Sequence, residues 1–353
     1  MATLAEMKTR MGGAAEYVQT ELWPLVDQFE QEHRVDYSGV KGALLQSAPL
    51  VVGGWLAGVL VPNGPNASKL AKAMAFGGSA LLLLGVLLAA PAVIKFLKAA
   101  GKRAAALRSL KAVIKAKAIT QLDSSFVFSA SASFPKALYA NCGLFPSSYD
   151  RATAEDRCEG VVGETKFELL EIDTFKVEQT KNSKGQTQTR YIPIFQGLLL
   201  KADFNKNFQR HTTIETDESE ERFGFLARGA QRLMSSMSQL KLIELENPQF
   251  EAHFKVRSTD PTQARYIITP DFMERVLALK SKLGANVQLA FMDSSVIVAI
   301  PRRGDFMEFS GGLDNLTTSI EWIQKDLVNT LELIEDLKLN DRIWNKQSEP
   351  VGA

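Results

Sequence analysis

The sequence predicts a membrane α-helical hairpin followed by an α+β cytoplasmic domain with a mainly antiparallel sheet. Three observations support this fold class. Two long uncharged apolar runs lie within the first hundred residues, a strongly basic segment follows the second run, and the remainder shows strand patterns around one clearly delimited helix. The net charge of +1 over 353 residues hides this segregation of charge along the chain.

Residues 1–42 predict a cytoplasmic amphipathic helix. Apolar residues recur near helical spacing between residues 3 and 32, with charges between them. The segment holds seven carboxylates and four bases, so it is acidic as a whole. Three arrangements stay open: the helix packs on its own protein, lies on the membrane, or pairs with another chain.

Residues 43–94 predict the transmembrane hairpin, with spans at 43–61 and 73–94. The second span has 22 uncharged residues, and a bilayer core of about 30 Å needs about 20 helical residues. A Pro- and Gly-rich turn at 62–65 separates the spans, so both ends of the hairpin face the same side. The alternative is a buried helical pair in a soluble protein. Small residues let membrane helices approach closely, which makes Gly54 and Gly58 candidate helix-packing positions.

Residues 95–120 predict a basic juxtamembrane helix. Lysine and arginine collect on the cytoplasmic side of a span, so this segment predicts that both termini are cytoplasmic. Basic residues at a bilayer surface also attract anionic head groups, at about 1 kcal/mol per base. Alternatively, these bases only set the orientation of the span and bind no specific lipid. The candidate lipid-facing residues are Lys95, Lys98, Lys102, Arg103, Arg108, Lys111, Lys115 and Lys117.

Residues 121–312 predict the cytoplasmic α+β domain. One helix is expected at 269–284, because Thr269 can cap it, Pro270 suits its first turn and Gly284 can end it. A second helix is expected within 217–238. Strands are expected at 165–178, 189–203, 240–246, 253–258, 264–269, 286–292 and 295–300.

Residues 313–353 predict a C-terminal helix and tail. Leucine and isoleucine recur at steps of three and four residues, which is typical of a helix packed on the protein or of a short coiled coil.

Motifs for catalysis are absent from the sequence. It has no GxxxxGK, GxGxxG, HExxH or GxSxG segment. Its three histidines lack metal-ligand spacing, and Cys142 and Cys158 are expected to be reduced and structural. Glu155 and Asp156 are expected at the surface or in caps. We therefore predict no catalytic residue, no cofactor, no metal and no nucleic-acid partner.

Several blocks of the chain resemble bacterial membrane proteins of domain-of-unknown-function family 3137. They are CGLFPSSYDRATAEDRCEGVVGETKFELLEID, IFQGLLLKADFNKNFQRHTTIETD and LENPQFEAHFKVRSTDPTQARYIITPDFMERVLAL. The resemblance covers roughly residues 120–312 and extends to 334–344. It implies a multi-pass protein of the bacterial inner membrane with a cytoplasmic domain, and it implies no activity, cofactor or catalytic residue.

The resulting hypothesis is a membrane-anchored cytoplasmic binding or scaffold protein of unknown ligand, more a binding protein than an enzyme. Its expected partners are membrane lipids with anionic head groups, and a protein or second copy bound through the N- or C-terminal helix. Two alternatives remain. One is a hydrolase-like enzyme acting at the membrane surface, and the other is a subunit of an oligomeric channel or transporter.

Overall fold

The computed structural model describes residues 2–60, 68–146, 148–181, 187–204, 206–208, 210–216, 240–284 and 286–340. The chain divides into two compact units. A helical unit comprises residues 20–113, and a sheet unit comprises residues 1–19 together with 114–353.

The described part of the chain contains ten α-helices. They are α1 (Leu4–Met11), α2 (Ala14–Tyr17), α3 (Trp23–Glu32), α4 (Ser38–Leu60), α5 (Lys69–Leu122), α6 (Lys136–Asn141), α7 (Pro248–Glu251), α8 (Pro261–Ile267), α9 (Pro270–Leu283) and α10 (Leu316–Asp336). A π-helical turn at Val18–Leu22 and a 3-10 turn at Leu313–Asn315 complete the helical elements of that part.

The amphipathic N-terminal segment is interrupted at Gly12 and Gly13 and forms successive short helices. Helix α1 begins with a capping box, in which the side chains of Thr3 and Glu6 satisfy each other's backbone N–H groups. Its apolar residues Leu4 and Met7 are buried, and it packs on α10 in the sheet unit. This part of the segment therefore packs on its own protein.

Helix α10 also buries its apolar seam within the chain. The seam consists of Leu316, Ile320, Ile323, Leu327, Ile334 and Leu337, which are all buried. Thr330 interrupts the apolar pattern, but its hydroxyl donates to the carbonyl of Asp326 at 2.9 Å, which satisfies this buried polar group. Packing on the protein body, rather than a coiled coil, therefore accounts for the seam.

One nine-stranded sheet forms the sheet unit, in the order β1-β2-β3-β4-β9-β8-β5-β7-β6. Every paired neighbour is antiparallel. The strands are β1 (Val127–Ser131), β2 (Arg151–Val162), β3 (Thr165–Lys181), β4 (Thr187–Asp203), β5 (Thr212–Thr216), β6 (Lys241–Ile243), β7 (Phe254–Ser258), β8 (Gln288–Met292) and β9 (Ser295–Pro301).

One face of the sheet is buried beneath α6 and the segment after it. Tyr139 and Phe145 stack at 4.6 Å and pack on Ile172, Leu199 and Ile297 from the central strands. Because side chains alternate along a strand, the residue next to Ile172 on β3, Glu171, points to the other face of the sheet. The core therefore lies against the middle of β3, β4 and β9.

The predicted α+β class with an antiparallel sheet is confirmed, and helix α9 begins after Thr269 and ends at Gly284 as expected. The strand predicted at 264–269 is wrong, because this stretch is mostly helix α8. Asp260 caps α8 by accepting from the backbone N–H groups of Thr262 and Gln263. Strands β1, β2 and β5 had not been predicted. The helix expected at 217–238 and the turn at 62–65 lie outside the described residues.

Candidate functional site: an apolar helix pair, its basic face and a buried carboxylate cluster

Helices α4 and α5 pack closely through glycine within the helical unit. A Cβ atom added at Gly54 would lie 2.5 Å from the carbonyl oxygen of Gly78, and one added at Gly78 would lie 2.4 Å from Cβ of Ala57. A Cβ at Gly85 would lie 2.8 Å from Val51. The two backbones therefore approach more closely than any larger residue would allow. The surroundings of Gly58 lie outside the described residues.

Much of the described surface of the helix pair is apolar and exposed. Among the described residues, one helix, from Lys72 in α5, is long and apolar enough to cross a membrane, and only 11% of its most apolar stretch is buried. Helix α4, which holds the first predicted span, has 23 residues. The exposed apolar side chains of the pair are Leu44, Leu45, Val52, Trp55, Leu56, Val59, Leu60, Met74, Phe76, Leu81, Leu83, Leu84, Val86, Leu87, Leu88, Ile94 and Leu97.

Three of the eight predicted basic residues form one exposed face. Lys95, Lys98 and Lys102 are exposed, and at 100° per residue their positions fall within about 60° of the helix circumference. Beside this face, the rings of Tyr37 and Phe96 lie 5.4 Å apart, so two aromatic side chains meet where the apolar surface ends. Sequence reasoning had not singled out these two aromatics.

Arg103 ties α3 to α5 instead of facing outward. Its guanidinium donates to both carboxylate oxygens of Glu30, at 2.6 and 2.8 Å, and to the backbone carbonyl of His33 at 2.8 Å. It also lies 5.1 Å from the ring centre of Phe29, within cation–π distance. This residue is therefore a structural link within the helical unit.

Lys115 is buried in the sheet unit, so its ammonium group does not face a lipid surface. Its Nζ atom lies 2.7 Å from a carboxylate oxygen of Asp156, and the two side chains are 11% and 7% exposed. The expectation that Asp156 lies at the surface or in a cap is also wrong. Of the other predicted basic residues, Arg108 is exposed, and Lys111 and Lys117 are half-buried.

Asp156 lies in a β-bulge of β2. The pairing with β3 shifts between Glu155 and Cys158, and Asp156 has a positive φ of 47°. Burial raises the pKa of Asp156 to about 6, although the charge of Lys115 opposes that rise. The carboxylates of Glu155 and Glu308 raise the same pKa further. The bulge therefore turns a charged side chain inward, where a single lysine compensates it.

A second buried carboxylate, Glu171, lies on β3 near this pair. It accepts a hydrogen bond from the backbone N–H of Phe306 at 2.9 Å, which ties the β9–α10 loop to the sheet. Burial raises the pKa of Glu171 to about 7, and the charges of Glu155, Asp156 and Asp305 add to the effect. A charged residue inside the apolar run ELLEID was the available signal for this position. The arrangement can hold a proton near neutral pH.

The buried carboxylates do not form a metal centre in the described part of the chain, where no group of three His, Cys, Asp or Glu could hold an ion. Cys142 and Cys158 are buried and unpaired with each other. Burial raises the pKa of Cys142 to about 11 and of Cys158 to about 12. Both thiols are therefore protonated at neutral pH and serve as core residues.

Two surface cavities lie elsewhere on the sheet unit. The larger, of about 490 Å³, is an open ledge at the end of β3, β4 and β9, bordered by Lys166, Glu168, Lys201 and Asp203. Glu168 is already paired with Arg157 at 2.7 Å. The smaller, of about 220 Å³, lies beside edge strand β6 and has mostly apolar walls. They include Leu242, Leu245, Phe250, Phe254 and Val256.

Comparison with known proteins supports the family resemblance drawn from the residues. Residues 193–339 match the model of a family described as a protein of unknown function, DUF3137, which confirms the resemblance over that stretch. No curated protein matches the sequence. The crystal structure of the mycobacterial trehalose monomycolate transport factor A is similar at 9% identity, over 62% of this chain and 93% of that chain. The TM-score is 0.30, too low to carry an argument.

Proposed function

We propose, with the DUF3137 match over residues 193–339 as a premise, that the chain is a membrane-anchored binding or scaffold protein. In this proposal, helix α4 and the apolar part of α5 cross the bilayer as a hairpin. The sheet unit lies at the cytoplasmic face of the bacterial inner membrane. The observation that carries the proposal is the apolar stretch of α5, of which only 11% is buried.

The exposure of the apolar side chains distinguishes a membrane hairpin from a buried helical pair in a soluble protein. The core helix of a soluble protein buries its apolar side chains, whereas Leu83 and Leu87 near the middle of the run are 67% and 68% exposed. Exposed apolar patches beyond a few hundred Å² mark interaction or membrane surfaces. Helix α4, at 1.5 Å per residue, is about 34 Å long, which suits a hydrocarbon core of about 30 Å.

The end of the apolar surface has the chemistry of a membrane interface. Tyrosine is enriched at head-group level, and Tyr37 contacts Phe96 where the charged residues begin. Lys95, Lys98 and Lys102 follow on one exposed face, with no acid in residues 95–117. This combination supports a cytoplasmic end of the hairpin that binds anionic head groups.

Membrane fractionation of the full-length protein tests the proposal. We expect the chain to stay in the pellet after carbonate extraction and to be released by detergent. A reporter fused after residue 353 is expected to be active in the cytoplasm. A protein recovered in the supernatant without detergent, or a reporter active outside the cell, contradicts the proposed topology.

Removing the basic face is expected to weaken binding of anionic lipid. The variant Lys95→Gln/Lys98→Gln/Lys102→Gln loses about 1 kcal/mol per lysine, and so should retain at least tenfold less phosphatidylglycerol through purification in mild detergent. Quantified lipid phosphate per protein is the measurement. The matched control, Lys166→Gln/Lys201→Gln/Lys241→Gln, removes the same charge from the sheet unit. Equal lipid in both variants would contradict a lipid role for the α5 face.

In the described residues, no observation favours the surface-enzyme alternative. The ledge beside β3 and β4 alternates lysine and carboxylate side chains, and the cavity beside β6 is mostly apolar. The buried carboxylates Asp156 and Glu171 already bond to Lys115 and to a backbone N–H. A binding role is therefore the function that the geometry supports best.

A further inference from the structure

Strands β3 and β4 continue beyond their neighbours as a two-stranded ribbon. Strand β2 pairs with β3 only as far as Phe175, and β9 pairs with β4 only from Gly197. The ladder between β3 and β4 nevertheless runs on to the pair Lys181–Thr187. In the described chain, no strand pairs with the outer edge of β4 before Gly197.

The ribbon is exposed on both faces. Every residue from 178 to 181 and from 187 to 191 is exposed, including Tyr191 at 50%. A two-stranded ribbon is marginal in water, and an open edge is a template for another strand. The ribbon therefore has the properties of an element that is completed by a partner.

The two edges of the ribbon differ. On the β3 side, Asp150 closes the edge by accepting from the backbone N–H of Val177 at 2.8 Å, and its backbone N–H donates to the carbonyl of Phe175 at 2.9 Å. On the β4 side, the edge runs from Thr187 to Pro193. Proline has no N–H group to donate, so it ends any added ladder there.

We propose that the β4 edge pairs antiparallel with the same edge of a second copy of this chain, about a two-fold axis at Thr189. In this register Thr189 lies opposite Thr189 of the second copy. Gln188 lies opposite Arg190, and Thr187 lies opposite Tyr191. A two-fold interface must be self-complementary in this way.

The side chains of the edge permit self-pairing, and charge restricts its register. Like charges directly opposite each other destabilise a strand pair, and a register centred on Arg190 would place two guanidinium groups together. The register centred on Thr189 places a neutral amide opposite each Arg190 and makes a cross-strand threonine pair, which is a favourable combination. It also uses the whole exposed segment from Thr187 to Tyr191. The β4 edge thus complements itself.

The ribbon offers a surface for self-association that does not require the apolar faces of the terminal helices. Leu4 and Met7 of α1, and the apolar seam of α10, are buried within the chain. The residues from Thr187 to Tyr191 on the β4 edge are instead exposed. This inference does not depend on the proposed membrane topology.

Single cysteines at the predicted contact test the register in full-length protein in detergent. Opposite residues of an antiparallel pair have Cα atoms about 4.5–5.5 Å apart, within the range for a disulfide. We expect Thr189→Cys to form a disulfide-linked dimer under mild oxidation. Gln188→Cys and Arg190→Cys should each give no disulfide-linked dimer alone, and should form a disulfide-linked heterodimer when differently tagged copies are mixed. The native cysteines are buried, so wild type provides the background.

Light scattering of unoxidised protein gives a second measurement. Thr189→Asp places two carboxylates opposite each other and is expected to shift dimer to monomer, whereas the matched Thr189→Val should remain dimeric. Three results would overturn the proposal: no crosslink at Thr189 above wild type, equal crosslinking at all three positions, or a Thr189→Cys crosslink in membranes to a different protein.

Discussion

Replacing Leu83 and Leu87 together by lysine is expected to release the protein from the carbonate-resistant membrane fraction. These exposed side chains lie one turn apart near the centre of the apolar run of α5. A lysine at the centre of a membrane helix costs about 2.5–3.5 kcal/mol on insertion scales, so the pair costs about 5–7 kcal/mol. We expect most of the variant to be extractable or degraded, as measured by quantitative immunoblotting of the fractions.

The matched control is Val127→Lys/Leu242→Lys. It also replaces two exposed apolar side chains with lysine, but on edge strands of the sheet unit. We expect the control to stay in the pellet like wild type. If α4 and α5 were instead a soluble pair, wild type and the Leu83/Leu87 variant would both be recovered in the supernatant. Retention of the variant in the pellet beside wild type would show that lysine at these two positions does not disturb insertion, and would count against a span centred on them.

The sequence predicted the central strands because their apolar content is high. Strands β3, β4, β8 and β9 carry runs of apolar residues that are buried on one or both faces of the sheet. Strand β2 was missed because its first half, RATAED, is polar and largely exposed. Strand β5, TTIET, is wholly buried but mostly threonine and glutamate. Thr212 and Glu215 find hydrogen-bond partners on the neighbouring strand β7, in Ser258 and Arg257.

The environments of the eight basic residues in 95–117 could not be predicted from the sequence pattern. Eight bases in one helix look alike in sequence, yet Lys95 is exposed, Arg103 binds Glu30 and Lys115 is buried. What distinguishes Lys115 is Asp156, which lies 41 residues away and turns inward only because β2 is bulged there. Local spacing could therefore predict a basic helix, but not which of its charges the fold neutralises.

Replacing Lys115 by methionine is expected to destabilise the sheet unit strongly at pH 8. Removing one member of a buried ion pair leaves the other charge uncompensated, which costs about 3–5 kcal/mol. Methionine retains much of the lysine chain, so loss of packing contributes little. At about 2–4 °C per kcal/mol for a unit of this size, the unfolding midpoint should fall by at least 6 °C. Thermal unfolding of the full-length protein in detergent provides the measurement.

The loss should depend on pH in a defined direction. Burial raises the pKa of Asp156 to about 6 from an ordinary 3.8, so the folded state favours the protonated carboxyl, and stability falls as pH rises between these values. Without Lys115 the pKa rises further. Near pH 5.5 the variant therefore carries a neutral carboxyl and should lose far less stability than at pH 8. The charges of Glu155 and Glu308 also raise the pKa of this carboxyl, and the charge of Asp156 in turn raises the pKa of Glu171.

Two further variants separate the ion pair from a general effect of losing a lysine. Lys115→Met/Asp156→Asn removes both charges, and asparagine tolerates the positive φ of this position, so most of the stability should return. Lys8→Met breaks a partly exposed pair with Glu332 and should cost about 1 kcal/mol or less. Two results would contradict a stabilising role for the ion pair. One is a double variant no more stable than Lys115→Met at pH 8, and the other is an equal loss of stability in Lys115→Met at pH 5.5 and pH 8.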